Sequence, residues 1–379
     1  MIKTFFITSI SIIMLSSCDN SGNTKDEKST TTDSVQTSRE NSFEKTIDGK
    51  QTHLFILQNK NIKAAITNYG GRLVSLWVPD KNGKMVDVVE GFESVDGYIN
   101  STEPYFGATI GRYGNRIAKG KFKIDGVEYS SSINNPPNML HGGKNGFQSK
   151  VFDAKKIGDS SLELSYLSKD GEEGFPGNLN VKLTYTLTDN QELKLDYEAT
   201  TDKKTVVNLT NHAFWNLNGE GSGTILNHTL WINADQYTPV DSTLIPTGKI
   251  ETVKGTPFDF TGAEKIGARI DSVKGGYDHN FVLNAKDSTL KKVATLSDAV
   301  SGRQLEVYTT EPGLQFYTGN FLDGTIINRD GKPIPKNAAF CMETQHYPDS
   351  PNKPEFPSSI LKPGGKYHTE TKYKVSVNK

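Results

Sequence analysis

The sequence predicts an all-β protein built as one large antiparallel sandwich, and three observations carry that prediction. The chain holds 35 glycines and is poor in leucine and alanine, which points to many turns. Apolar residues recur at every second position in short runs bounded by turn dipeptides. No stretch sustains a 3.6-residue period over about 12 residues, so long amphipathic helices are not expected.

Taken in order, the chain opens on Met1 to Ser17. Lys3 gives a positive start, and Phe5 to Leu15 is apolar. That run is shorter than the ~20 residues a spanning helix needs and is the size of a secretory signal. Leu15-Ser16-Ser17-Cys18 resembles the lipobox of bacterial lipoproteins. The resemblance implies removal of residues 1–17 and lipid on Cys18, with the protein anchored in a bacterial cell envelope, on a periplasmic or cell-surface face. The alternative is an ordinary signal peptide followed by a chance cysteine. Residues 18–42 are expected to be the lipidated cysteine and a disordered tether. Nine of the 22 residues from Asp19 to Glu40 are Ser or Thr and none is aromatic, too little apolar surface to offset chain entropy.

From residue 43 onward the texture changes. Leu179, Val181, Leu183, Tyr185 and Leu187 alternate with polar residues. Asp189-Asn190 turns the chain, and Leu193, Leu195, Tyr197 and Ala199 resume the alternation. That is a hairpin with one buried face. Further strands are expected at 52–58, 62–68, 72–78, 205–211, 280–283, 292–296, 304–310 and 338–344. Turn signals such as Asn82-Gly83, Asp125-Gly126 and Pro363-Gly364 separate them. With no internal repeat and no second linker, 43–379 reads as one domain.

Composition narrows the function. Lys plus Arg is 43 and Asp plus Glu is 44, a net charge of −1. Such a balance gives no electrostatic footprint for nucleic acid. The mature chain would hold two cysteines, Cys18 and Cys341. Cys341 lies in the apolar run Ala338–Met342 and reads as a small buried hydrophobe rather than a reactive thiol. No nucleophile elbow, H-E-x-x-H, P-loop or EF-hand loop occurs.

Six clusters of polar residues beside glycines and aromatics remain. "GRYGNRIAKG" at 111–120 either turns its arginines into solvent or points an Arg fork and the Asn115 amide at a polar ligand. "LHGG" at 140–143 places His141 in a turn. "NHAFWNL" at 211–217 ends a predicted strand. His212 there is a packed core residue, a metal ligand or a proton donor, with Phe214 and Trp215 as an apolar wall of the kind sugars stack on. Asp278 in "GGYDHNFVL" caps a turn or accepts from two adjacent hydroxyls. Gln315 precedes two aromatics in "EPGLQFYTGNF". Glu343 opens "ETQHYPDSPN" at the end of an apolar strand, where a carboxylate is costly unless paired or functional.

Together, in this order and spacing over 43–379, the six clusters resemble the aldose 1-epimerase (galactose mutarotase) family. The resemblance implies that family's large β-sandwich, a galactose mutarotase-like supersandwich. It implies a mutarotase of free aldohexoses such as galactose and glucose, with His212 as general acid and Glu343 as general base. Asn115, Arg116, His141, Ala213, Phe214, Asp278 and Gln315 would contact the sugar. The position after His212 varies among relatives, and Ala213 offers only its backbone. Anomer exchange moves no electrons, so no redox cofactor is required. No zinc spacing is present. Some relatives carry calcium, but the sequence places no site for it. A monomer is expected. The competing reading is a carbohydrate-binding surface lipoprotein without turnover, which would need the aromatics and Arg116 but not the acid–base pair. A hexose 6-phosphate substrate would need more cations than the clusters supply.

Overall fold

In a computed structural model of the chain, the structure describes Met1, residues 39–284 and residues 288–378. The leader and Cys18 lie outside the described residues. The compact unit spans Arg39–Lys379, four residues ahead of the expected start. Arg39 ties its first turn down through hydrogen bonding to Ser75 and an ion pair with Glu93. Among the described residues, no helix is long and apolar enough to cross a membrane.

The architecture is antiparallel β throughout its named strands. The largest sheet has nine strands. At its middle is the predicted hairpin, Leu179–Thr188 paired with Glu192–Thr201. Tyr367–Val377 follows on the other side, then Arg303–Thr309 and Lys291–Ser297. The alternation predicted for the hairpin is the burial observed, with Leu183, Tyr185, Leu195 and Tyr197 all facing the core. A four-stranded sheet near the N-terminus supplies Leu57, Ile66 and Leu76 to the same core. The 11-residue strand Tyr367–Val377 was not anticipated. Two of its inward positions are Thr369 and Thr371, and polar residues on the buried face blunt the sequence alternation.

A five-stranded sheet positions the site. Its strands Asp278–Val282, Gly313–Tyr317 and Cys341–Gln345 lie side by side. Leu314, Phe316 and Met342 point into the main core. The intervening residues Gln315, Glu343 and Cys341 therefore project from the opposite face, because side chains alternate along a strand. The expected strand 338–344 is observed as Cys341–Gln345. The expected strand 205–211 is broken into Thr205–Val206 and Thr210–His212. Asn208 interrupts it, its side chain donating to the Gly114 carbonyl and accepting from the His346 N–H. The second piece pairs with Ala108–Ile110, setting His212 opposite Ala108.

Candidate active site

The six clusters separate by role once folded. Arg112 neither points to solvent nor faces a pocket. It is buried and clamps the Ser168, Pro176 and Gly177 carbonyls. Arg116, Asn115, His141, His212, Asp278 and Glu343 come together around one cavity. That chamber encloses about 50 Å³. It shares Glu103, Tyr105, Arg116, Leu140 and Phe321 with an adjoining groove of about 550 Å³. The two together reach the size of a small-molecule site.

Local backbone fixes each group. Asn115 and His141 both adopt positive φ, +63° and +52°. They are tied reciprocally: the His141 N–H donates to the Asn115 carbonyl at 3.0 Å, and the Asn115 N–H donates to His141 Nδ1 at 3.1 Å. The glycine after His141 is required, because a Cβ on Gly142 would lie 2.0 Å from the Gly111 carbonyl oxygen. With Nδ1 accepting, a neutral His141 carries its proton on Nε2 and is a donor there. The Asn115 Oδ1 is spent on the Arg116 N–H at 2.9 Å.

Asp278 is held from two sides. Gln315 Nε2 donates to Oδ1 at 2.7 Å, and Arg116 Nη1 stands 3.6 Å from Oδ2. Gln345 donates to Gln315 Oε1 and fixes that amide in turn. Gln315 thus sits beneath Asp278 and does not line the cavity.

The opposite side holds His212 and Glu343. His212 Nε2 lies 3.7 Å from Glu343 Oε1. Its ring meets His141 edge-on at 5.1 Å and tilts against Tyr105 at 5.7 Å. Glu343 is 2% exposed and its Oε2 has no hydrogen-bond partner, which is uncommon for a buried carboxyl. Burial pushes Glu343 well above the usual carboxylate range, and neighbouring Asp278 adds to the shift against the pull of Arg116. Burial drives His212 down to about 4, countered in part by a backbone hydrogen bond and by Asp278. Burial, helped by His212 and Arg116, holds His141 well below its ordinary value.

Two expectations about the aromatics are corrected. Phe214 is fully buried behind His212, 5.0 Å from its ring. Trp215 lies in the core against Tyr373, so neither forms the wall. Ala213 is buried as well. The wall is instead Tyr105, Tyr317 and Phe321, with Phe321 65% exposed at the rim and stacked on Tyr317. Glu103 is a further carboxyl of the lining, raised to about 7 by enclosure despite the Tyr105 N–H it accepts. Sequence reasoning singled out neither Tyr105 nor Glu103, since "STEPYFG" carries no histidine, no paired glycines and no periodicity.

Two groups of side chains among the described residues stand close enough to hold an ion: His141–His212–Glu343 and Asp196–Glu198–His368. Calcium takes about six to eight oxygen ligands. The first group brings two histidines and the second brings one, with too few carboxylates in each, and Glu198 is already paired with Lys182 and Lys366. Neither fits calcium. In the first group the proton on His141 Nε2 stands where a metal would need a lone pair.

The family model for aldose 1-epimerase matches residues 53–374. The chain is 48% identical over 331 residues to a galactose mutarotase of Rattus norvegicus, covering 87% of this chain and 95% of the relative. It is 39% identical over 334 residues to an aldose 1-epimerase of Escherichia coli, covering 86% and 96%. Among solved structures, an aldose epimerase homologue from C. elegans superposes with a TM-score of 0.81 at 32% identity, covering 86% of this chain and all of the other.

Proposed function

The chain belongs to the aldose 1-epimerase family and is a mutarotase; we propose that its substrates are free galactose and glucose and that His212 and Glu343 carry the chemistry. The observation that carries the assignment of roles is the buried Glu343 carboxyl, its Oε2 unpartnered and its Oε1 3.7 Å from the His212 imidazole. A pyranose exchanges anomers by opening its ring. The C1 hydroxyl must lose a proton and the ring oxygen must gain one. Glu343 as carboxylate takes the first, and His212 as imidazolium delivers the second. After opening, Glu343 is protonated and His212 neutral, so the pair holds one proton before and after the step. Rotation about C1–C2 presents the other carbonyl face, and closure returns both protons. Burial favours that shared proton on Glu343 over His212. The resting pair thus matches its state against the open-chain aldehyde, and binding the closed ring must draw the proton toward His212.

The remaining groups bind. Asp278, oriented by Gln315, accepts from sugar hydroxyls, and Arg116 donates beside it. His141 donates from Nε2 toward the oxygen that develops charge. Neutral His141 contributes no fixed cation here, which disfavours anionic sugar phosphates. A reading as a sugar-capture module leaves the uncompensated Glu343 without a purpose.

The test is polarimetry on fresh α-D-galactose and α-D-glucose with the folded domain and a His212→Ala variant. Faster approach to anomeric equilibrium, lost in the variant, is expected. Acceleration that survives His212→Ala would remove the proton-donor role.

We also propose that the protein is a monomer anchored through lipid on Cys18 in a bacterial envelope. The support is the Lys3, Phe5–Leu15, Leu15-Ser16-Ser17-Cys18 pattern. Release of Cys18→Ser from the membrane fraction, with loss of radiolabelled palmitate, is the expected result; palmitate retained in the variant would rule this anchor out.

A further inference from the structure

The proton-transfer scheme uses one face of His212 and leaves its other ring nitrogen to be explained. Nδ1 points away from the cavity, and the atom it meets is Cys341 Sγ at 3.5 Å. Both residues are buried. We propose that Cys341 is a positioning residue for His212, its sulfur accepting from Nδ1–H and so keeping the transferable proton on Nε2. This inference rests on the reading of His212 as the proton donor.

The chemistry of the neighbour is what matters. His212 passes between imidazolium and imidazole in every turnover, and because the proton leaves from Nε2, Nδ1 keeps its hydrogen in both states and needs an acceptor throughout. An aliphatic neighbour would leave Nδ1 unpartnered inside the protein. A carboxylate would hold the ring cationic. A thiol sulfur accepts only weakly, so it holds the Nδ1–H tautomer without fixing the ring in its cationic state. Burial, with Glu343, Glu103 and Asp278 nearby, pushes Cys341 well above the ordinary thiol range, so the thiol stays neutral and adds no thiolate charge beside the ring.

The strand explains the placement. Cys341 and Glu343 are two residues apart on Cys341–Gln345 and project to the same face. One strand thereby presents the base to the Nε2 side of His212 and the thiol to its Nδ1 side. The other titratable groups in contact with His212 are His141, Tyr105 and Tyr317 on its flanks. Asp278 and Arg72 act on it from farther away. Among these, the thiol is the group recorded at Nδ1.

The test compares Cys341→Val, which fills the space without a hydrogen bond, with Cys341→Ser, which keeps one. We expect Cys341→Val to lower kcat about tenfold, the value of one modest hydrogen bond, with KM within about twofold of the parent. The limb of the pH profile that reports His212 should move, and the ¹⁵N signal of its Nδ1 should shift toward that of an unbonded nitrogen. Cys341→Ser should restore most of the lost rate. Wild-type kcat and pH profile in Cys341→Val would overturn the inference, as would Cys341→Ser proving no better than Cys341→Val. If Cys341→Val does not fold, Cys341→Ala against Cys341→Ser is judged by the same two criteria. An active His212→Ala enzyme would instead defeat the underlying reading, whatever the Cys341 variants show.

Discussion

Two histidine–glutamate pairs of this fold, one fully buried and one with a partly exposed histidine, behave in opposite ways. His346 Nδ1 sits 2.7 Å from Glu311 Oε2, and the Tyr367 hydroxyl donates to the other Glu311 oxygen at 3.0 Å. Burial opposes a charge on His346, but Glu311 and its hydrogen bond outweigh that and raise its pKa. That pair is a closed ion pair. His212 and Glu343 stand 3.7 Å apart with one carboxylate oxygen unpartnered, His212 pushed down and Glu343 up. The same residue types form a structural lock at one place and a mobile proton at the other. An ångström of separation makes the difference, since at 3.7 Å neither group stabilises a charge on the other enough to offset burial.

The sharpest way to break this contrast is to neutralise each carboxylate. Glu343→Gln removes the base, and we expect kcat to fall about 10³–10⁴-fold, near the upper end for general-base loss. Its thermal stability should hold or rise, because an uncompensated buried carboxyl is removed. Glu311→Ala should do the reverse. It should cost about 2–3 kcal/mol, reduced from the usual 3–5 for a broken buried pair because His346 is partly exposed, while the remaining folded enzyme turns over at close to the parent rate. Polarimetry and thermal melts on the two variants decide this. Equal activity losses would show that the pairs are not distinct in role.

The pH profile sharpens the comparison further. The His212–Glu343 pair works only while it holds one proton between its members, and the two pKa values belong to the pair. With His212 held near 4, activity should fall as pH drops toward 4, where a second proton fills the pair and the base is lost. With Glu343 raised, the alkaline fall should come where that shared proton leaves, well above the usual carboxylate range. Beyond either limb kcat/KM should change about tenfold per pH unit. An imidazolium ¹⁵N signal from His212 across the active pH range would mean that burial does not set the proton's place.

A smaller effect is expected on the binding side of the pocket, where charges are already compensated. Asp278→Asn keeps the shape and the Gln315 contact but weakens acceptance from sugar hydroxyls. KM for galactose should rise about tenfold, the worth of one charge-assisted hydrogen bond, with kcat changed less. A kcat loss as large as that of Glu343→Gln would move Asp278 into the proton-transfer machinery.

These contrasts mark what could be read from the sequence. The hairpin 179–199 was legible because ten-residue strands with one clean buried face give a strong period of two. Tyr367–Val377 was not, because its buried face includes threonines that bond across strands, Thr371 to Thr309 and Thr344. The strands that carry the site are three to five residues long, too short for periodicity to register. There, residue chemistry led instead. It brought His212, Glu343, Arg116, His141 and Asp278 to one cavity, while Arg112 and His346, in the same clusters, serve the framework. What the clusters could not convey was which side of each chain the aromatics face. Phe214 and Trp215 follow His212 directly, yet the chain leaves the strand at that point and turns both rings inward.

The pocket wall itself gives the mildest prediction. Phe321 is an exposed aromatic at the chamber's mouth, its ring parallel to Tyr317 at 5.9 Å. It touches neither member of the proton-transfer pair by ring contact, and Tyr317 stands between it and His212. Its surface lies where the chamber opens into the groove that shares Arg116 and Leu140 with it. Phe321→Ala should therefore weaken apolar contact only. KM should rise about two- to fivefold, in line with the ~0.5–1.5 kcal/mol of an aromatic contact, and kcat should stay within about twofold. Because the side chain is largely exposed, stability should scarcely change. An unaltered KM for both sugars would place the bound hexose wholly within the inner chamber, leaving the groove to solvent.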